Sequence, residues 1–508
     1  MAREVIQDAQ MSMDGGLNTV SDVSALQPNQ LRRTENARLT DVGAITKRGG
    51  TQRLSTAVIA AHSVANGFTW NKADGTSQIM AVVNGGLYTT TFASLPMTWT
   101  AQAGALSTST QPTFSQFRDS SADVVYISDG GLLNKWNGTT LTVDIAGTVN
   151  SDICVVHNQR LWSAGNASFP NSIFYSSLNN GDTLGNGSSG GGQIVVRTFG
   201  NEGVIGLVSL ATSLLIFHRR GVSRLTGYGQ DDITVSPAGI ASDVGLIAPK
   251  SIVPVGSVAY FISERGMYRC NEAEVAPVAT VQTPDPLLPI LRSLSTTEFS
   301  KIRAGINRAT RELWITIPTV GCYQYHTLLQ SWSGPWNTGW ISPDTTALFE
   351  ASDTSGLPIM LRGDASGWVS RCDAPGAALD NVSADGTGGT EYSMVAQLRR
   401  MYCGDDAMAK AYRYAYLTAQ LNGSSSCSVD WDTGTFSRGQ TLPTSTSGVW
   451  GVGTWDALGA TWSEASSQNY RVQMGGTGYY VDISIVDSSP CCPTFSRFQL
   501  QTFALGRR

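Results

Sequence analysis

Charge is what this sequence has least of. Only 14% of its 508 residues are Asp, Glu, Lys or Arg, against about 25% in an ordinary soluble domain. So little charge implies a surface covered by other subunits, or a very large β protein. Lysine is scarcer still, with six against 28 arginines, and arginine tolerates burial at an interface better. A net charge of −5 argues against a protein whose main work is to grip nucleic acid, because that affinity comes mostly from neutralising phosphates. The basic residues fall in short dyads, Arg32-Arg33, Lys47-Arg48, Arg219-Arg220, Arg399-Arg400 and Arg507-Arg508, and no basic stripe emerges. No apolar run approaches the roughly 18 residues of a membrane helix. The opening "MAREVIQDAQ" has no apolar signal core either. No membrane span is expected, and synthesis in a cytoplasm is.

Clustered metal or redox ligands are also missing. The four histidines, His62, His157, His218 and His326, stand alone, without HxH, HxxxH or HExxH spacing. His218, beside Arg219 and Arg220 in a turn, reads as solvated or interfacial. The eight cysteines form no CxxC, and the adjacent Cys491-Cys492 is a poor zinc or disulfide framework. Reduced, mostly buried thiols are expected, with no metal and no cofactor. Gly185-Asn186-Gly187-Ser188-Ser189-Gly190 matches GxGxxG by letter, but a turn precedes it and a β-branched run follows, so it reads as a loop. No GxSxG elbow appears. "DWDTGTF" (430–436) approximates the Asp-box of propeller sialidases, but it occurs once and an Asp-box is a turn element. These absences point away from an enzyme.

What is abundant is glycine, 54 residues, set among Thr, Ser and Val. That composition favours strands joined by many turns. Four strand-turn-strand units share one outline: "AVVNGGLYTT" (81–90), "VVYISDGGLLNKW" (124–136), "LLIFHRRGVSRL" (214–225) and "VAYFISERGMYRC" (258–270). Their turn glycines, Gly86, Gly131, Gly221 and Gly266, are separated by 45, 90 and 45 residues. A longer hairpin at 160–178 fills the gap, and looser copies follow at 312–334 and 359–372. A period of about 45 residues with several short strands per repeat is a propeller-blade signature. One four-stranded blade cannot bury both faces alone, whereas blades stacked around an axis can. The expectation is an all-β chain with a β-propeller of six or seven blades over 57–375. An open run of hairpins or a pair of sandwiches is the alternative.

Past Cys372 the pattern changes. A Gly/Ala/Asp-rich connection (373–392) leads into longer alternating strands such as "VDISIVD", where Val481, Ile483 and Ile485 share one face. This predicts a C-terminal antiparallel sheet or sandwich over 376–508. The Ser/Gly/Trp-rich tract 437–466 within it reads either as a projecting packed loop or as a poorly ordered insertion.

The first 56 residues have little sustained period but many particular choices. They read as an extended N-terminal arm, with bends at Gly15, Gly16, Gly43 and Gly49-Gly50, a turn at Pro28, and anchors at Leu17, Leu26, Leu31, Leu39 and Ile45. Such an arm either tucks along its own propeller or docks on a neighbour. The order "GGLNT…SALQPNQLRRTENARLTDVGAITKRGG", followed by blade-like repeats and a C-terminal β region, resembles the tail hub or nozzle proteins of short-tailed bacteriophages. The matching phrases are Gly15-Gly16-Leu17-Asn18, Asn36-Ala37-Arg38 and Lys47-Arg48. The resemblance implies a non-catalytic virion tail protein, assembled in the bacterial host cytoplasm. It implies a six-fold ring below the portal and adaptor, possible fibre or tailspike contacts, and DNA passing without specific binding. On that reading Gly15, Gly16, Leu17, Asn18, Asn36, Arg38, Lys47 and Arg48 are the expected interface contacts. A tail glycosidase with a propeller and a non-viral protein-binding scaffold are the rival readings.

Overall fold

The structure, a computed structural model, describes residues 5–10, 12–120, 122–200, 202–227, 232–236, 239–341, 344–374, 378–421, 426–443 and 467–506. Among them, seven four-stranded antiparallel sheets follow one another along the chain, at 64–101, 113–142, 153–195, 206–235, 253–277, 303–336 and 345–372. Each expected hairpin unit supplies the middle strands of one sheet. Several of those strands are covered on both faces, so they read as continuous apolar runs. Glu312–Ile317 is buried at all six positions, and Ser77–Val83 at its last five.

The first strand of each sheet lies innermost. Thr345–Ser352 of the seventh sheet packs against Val64–Asn71 of the first, which closes a propeller-like circle. The approach is tight: a Cβ on Gly67 would fall 2.1 Å from the Phe349 ring. Elsewhere, edge-to-face aromatic pairs lock adjacent sheets, as between Phe217 and Phe261 with centroids 5.0 Å apart.

The seventh sheet contains only three strands from 345–372. Its fourth is Thr51–Arg53, paired antiparallel with Val369–Cys372. The segment expected to be an arm is therefore structural at this point, and its other strands are too. Gly16–Leu17 and Gln30–Glu35 join Met394–Leu398, Asp482–Asp487, Cys427–Asp432 and Ser437–Thr441 in a six-stranded sheet. Val5–Gln10, Ala37–Leu39 and Ile45–Lys47 join Thr494–Gly506, Ala409–Gln420, Gln468–Gln473 and Thr477–Gly478 in a seven-stranded one. The two sheets share one apolar core that holds Leu31, Leu39 and Ile45 with Leu398, Leu417, Trp431, Ile483, Ile485 and Phe498. The arm expectation is thus corrected. Backbone groups in 13–54 find their hydrogen-bond partners within the segment itself, in Pro335 and Val369–Cys372 of the ring, and in Met394–Leu398 and Thr494–Gly506.

The alternation read in "VDISIVD" holds, because Val481, Ile483 and Ile485 are all fully buried. Of the tract 437–466, Ser437–Thr441 is an edge strand, and 444–466 lies outside the described residues.

The closing strand also sets a glycine requirement. Leu379 and Val382 run beside it, with the Thr51 amide donating to the Leu379 carbonyl at 3.1 Å. A Cβ on Gly50 would sit 1.9 Å from that same carbonyl oxygen. Gly50→Ala is expected to lower the denaturation midpoint by the equivalent of about 1–3 kcal/mol, the usual range for overpacking. Gly187→Ala, where a Cβ meets nothing within 4 Å, should leave the midpoint unchanged. Equal midpoints for the two variants would show that the strand has room to move.

Candidate functional site

The residues expected to dock on a partner are packed within the sandwich or between it and the ring. A Cβ on Gly15 would meet Asn29 Oδ1 at 2.7 Å. Gly16 has a φ of +63° and lies so close to the sixth sheet that a Cβ would be 2.5 Å from the Trp332 carbonyl oxygen. Leu17 enters the apolar cluster of Tyr325 and Trp332. Asn18, itself buried, donates from Nδ2 to Gln30 Oε1 and Ser21 Oγ at 3.0 Å, while its Oδ1 accepts from the amides of Val20 and Ser21.

The other four build a polar junction. Asn36 adopts a left-handed φ of 49°, which asparagine tolerates better than most residues. Its Nδ2 donates to Asn337 Oδ1 and to the Ser393 carbonyl at 2.8 Å, and its Oδ1 accepts from Arg48 Nε at 3.2 Å. Arg48 is wholly buried and makes a two-pronged pair with Asp380, also wholly buried. The Tyr392 ring stacks 3.7 Å from the guanidinium carbon, and the Tyr392 hydroxyl donates to the Arg48 carbonyl at 2.6 Å. Burial opposes the Arg48 charge, but Asp380 outweighs it, so the guanidinium is held charged. Arg38 bridges Glu312 at 3.2 Å and Asp373 at 2.8 Å. Burial raises the pKa of Glu312, against the pull of Arg38. Lys47 pairs with Asp487 at 3.3 Å and also donates to the Ser489 carbonyl. Next to this junction Trp314, Trp336 and Trp340 pack edge to face, and Trp336 Nε1 donates to the Ala37 carbonyl at 3.0 Å.

Two expectations about turns and histidines change. Of the four repeat glycines only Gly266 has a positive φ, +108°. At the first two turns the left-handed residue comes one position earlier, at Gly85 (+74°) and Gly130 (+90°). Asn84 is also left-handed, so Asn84-Gly85 supplies the pair of positive φ angles that a tight two-residue hairpin needs. Gly221 is needed for another reason: a Cβ there would be 2.3 Å from the Phe199 ring. His218 is neither solvated nor interfacial. It is fully buried against Phe199, and burial lowers its pKa. The letters GxGxxG form a short turn, Gly187–Ser189, capped by Asn186 and followed by strand Gly192–Val195. Asp432 of the Asp-box-like stretch accepts from the Gly434 amide at 2.7 Å and shapes a hairpin.

None of the eight cysteines is joined in a disulfide; seven are buried and Cys492 is half-buried. Among the described residues no three His, Cys, Asp or Glu side chains are grouped to hold a metal ion, and no helix is long and apolar enough to cross a membrane.

One cavity runs along the axis of the ring. Its inner part, about 320 Å³, is lined by residues on or flanking the first strands of all seven sheets, from the stacked Phe68 and Phe114 through Leu207 to Leu348. It widens at one end into a mouth of about 640 Å³. Lys250 and Arg303 line both parts. Single residues on separate sheets carry no spacing signal, so sequence reasoning did not find this pair.

No protein-family model matches the chain, and no curated protein does. Among solved structures the chain is similar to the extracellular domain of the "putative hybrid two component system BT4673 from B. thetaiotaomicron", at 11% identity and a TM-score of 0.40. The alignment takes in 63% of this chain and 39% of that one. At that distance the likeness says nothing about function.

Proposed function

We propose that the protein is a structural component of the tail of a short-tailed bacteriophage, a nozzle or hub subunit that assembles into a ring below the portal and adaptor. The seven sheets are then the blades of a β-propeller, completed by Thr51–Arg53. The observation that carries this reading is the junction. The phrases that resemble the nozzle family supply half-buried Arg38 and buried Arg48, which tie ring and sandwich together, and buried Lys47, which ties the two sheets of the sandwich. A stiff body suits a part that transmits load between a capsid and a cell surface.

The axial cavity does not serve as the DNA channel. Its 320 Å³ inner part is far too small for a duplex whose major groove alone is about 12 Å wide. The exit channel on this reading lies between copies, with fibre or tailspike proteins at the periphery. Several surface arginines already have acidic partners, among them Arg219 with Glu264 and Arg265 with Asp243, which suits a wall along which DNA slides.

Electron microscopy of the purified protein tests the proposal. Rings of one fixed copy number, with a hole that admits a duplex, are expected. Duplex affinity should be weaker than the roughly 10⁻⁴–10⁻⁶ M of ordinary non-specific binders at physiological salt. A protein that stays monomeric at every concentration, or one that binds duplex at submicromolar concentrations with a steep salt slope, would overturn it.

A further inference from the structure

The buried cations of the junction each have a carboxylate, whereas the two on the axis have none. Arg303 is only 8% exposed. Its Nε donates to the Thr346 carbonyl at 2.9 Å, and its Nη1 to the carbonyls of Ser300 and Ile302 at 2.7 and 2.8 Å. Those bonds fix the guanidinium and leave Nη2 without a protein acceptor among the described residues. Lys250 Nζ donates to Thr113 Oγ1 at 3.0 Å and to the Gln111 carbonyl at 3.4 Å. Thr113 in turn donates to the Asp152 carbonyl at 2.7 Å, so its hydroxyl is fixed as an acceptor towards Lys250. Neither cation has an acidic side chain within ion-pair distance among the described residues. Two positive charges held together in a partly enclosed space need an anion to balance them.

We propose that the mouth of the axial cavity binds a small organic anion, with one carboxylate held between Lys250 and Arg303 and an apolar body against Pro170, Val204, Ile205 and Pro249. Lys250 has one N–H to spare and Arg303 has the two of Nη2, and a carboxylate has two oxygens to receive them. Asp152 lines the same mouth, which favours a single negative charge over a dianion such as phosphate. The volume, about 640 Å³, is within the range of small-molecule sites. Exposed Ser300 and Lys301 at the rim leave an entry from solvent.

The proton on Lys250 adds a second signature. Burial, and then the Arg303 charge, push its pKa down to about 8, with Cys154 and Asp152 acting weakly the other way. Cys154 is itself held neutral by burial. Affinity for a carboxylate should therefore fall as pH rises through about 8, where Lys250 loses its charge.

Calorimetric titration of the full chain with benzoate, its neutral counterpart benzamide and inorganic phosphate, at constant ionic strength, tests the site. Benzoate is expected to bind saturably and benzamide at least about tenfold more weakly, which is the worth of one charge-assisted hydrogen bond. Lys250→Met should weaken benzoate by a similar factor while the unliganded chain keeps its circular dichroism and melting temperature. Lys250→Gln is the second variant should the first fail to fold. Non-saturable benzoate heats, equal binding of benzamide, unchanged affinity in a folded Lys250 variant, or tighter binding of phosphate would each overturn the assignment.

Discussion

A chain that begins at residue 57 is expected not to fold. The missing segment supplies Met13, Leu17, Leu26, Leu31, Leu39, Ile45 and Leu54, all buried. At about 1.5–3 kcal/mol for each buried side chain, their loss is on the order of 10–20 kcal/mol. The whole net stability of a domain is only about 5–15 kcal/mol. The deletion also opens the seventh sheet at Val369–Cys372 and removes two strands from the six-stranded sheet and three from the seven-stranded one. Glu312, Asp380 and Asp487, all buried, lose their cations. The expected result is insoluble protein, or soluble protein without a cooperative melt. A docking arm would behave differently, since its removal leaves β content and melting temperature intact. A truncated chain that melts cooperatively near the full-length temperature would show that the N-terminal strands are dispensable additions to a self-sufficient core.

That contrast marks where the sequence was legible. The blade hairpins could be read because their strands are contiguous, apolar and joined by short turns, so each unit shows its own pairing. The N-terminal strands could not be read in this way. They are two to six residues long, and their partners are far away in the chain: Leu31 pairs with Leu398, and Ile45 with Phe495. A local pattern contains no trace of a partner more than 350 residues distant. The same limit hid the ring closure, since Thr51–Arg53 looks like any short polar stretch until Ser370 and Cys372 are beside it.

The side chains of the candidate site divide similarly. Gly15, Gly16, Asn18 and Arg48 stood out as choices too particular for a loop, and each does have a specific steric or polar task. What could not be read was the direction of that task. An arginine that meets Asp380 of its own chain and one that meets an acid on a neighbour look identical in a sequence. His218 misled because its neighbours Arg219 and Arg220 are exposed, while the strand before it, Leu214–Phe217, is buried at every position and draws His218 in with it.

Arg48 and Asp380 should behave as a unit whose halves cannot be separated. Replacing Arg48 with Met leaves the Asp380 carboxylate fully buried, with Thr51 Oγ1 and the Thr390 hairpin around it but no cation. Breaking a buried pair from one side typically costs about 3–5 kcal/mol, because the surviving charge stays desolvated. Asp380→Leu should cost a similar amount, since burial works against the Arg48 charge once the acid that offsets it is gone. Arg48→Lys should not rescue the site, because a point ammonium cannot reproduce the two-pronged pair or the stack on Tyr392. The double variant Arg48→Met/Asp380→Leu removes both charges at once. It is expected to be more stable than either single variant, with a coupling energy of at least about 2 kcal/mol by denaturant midpoints. If the two single effects simply add, the buried pair does not hold the ring to the sandwich. The Tyr392 stack and the Asn36 network would then be the groups that fix the junction.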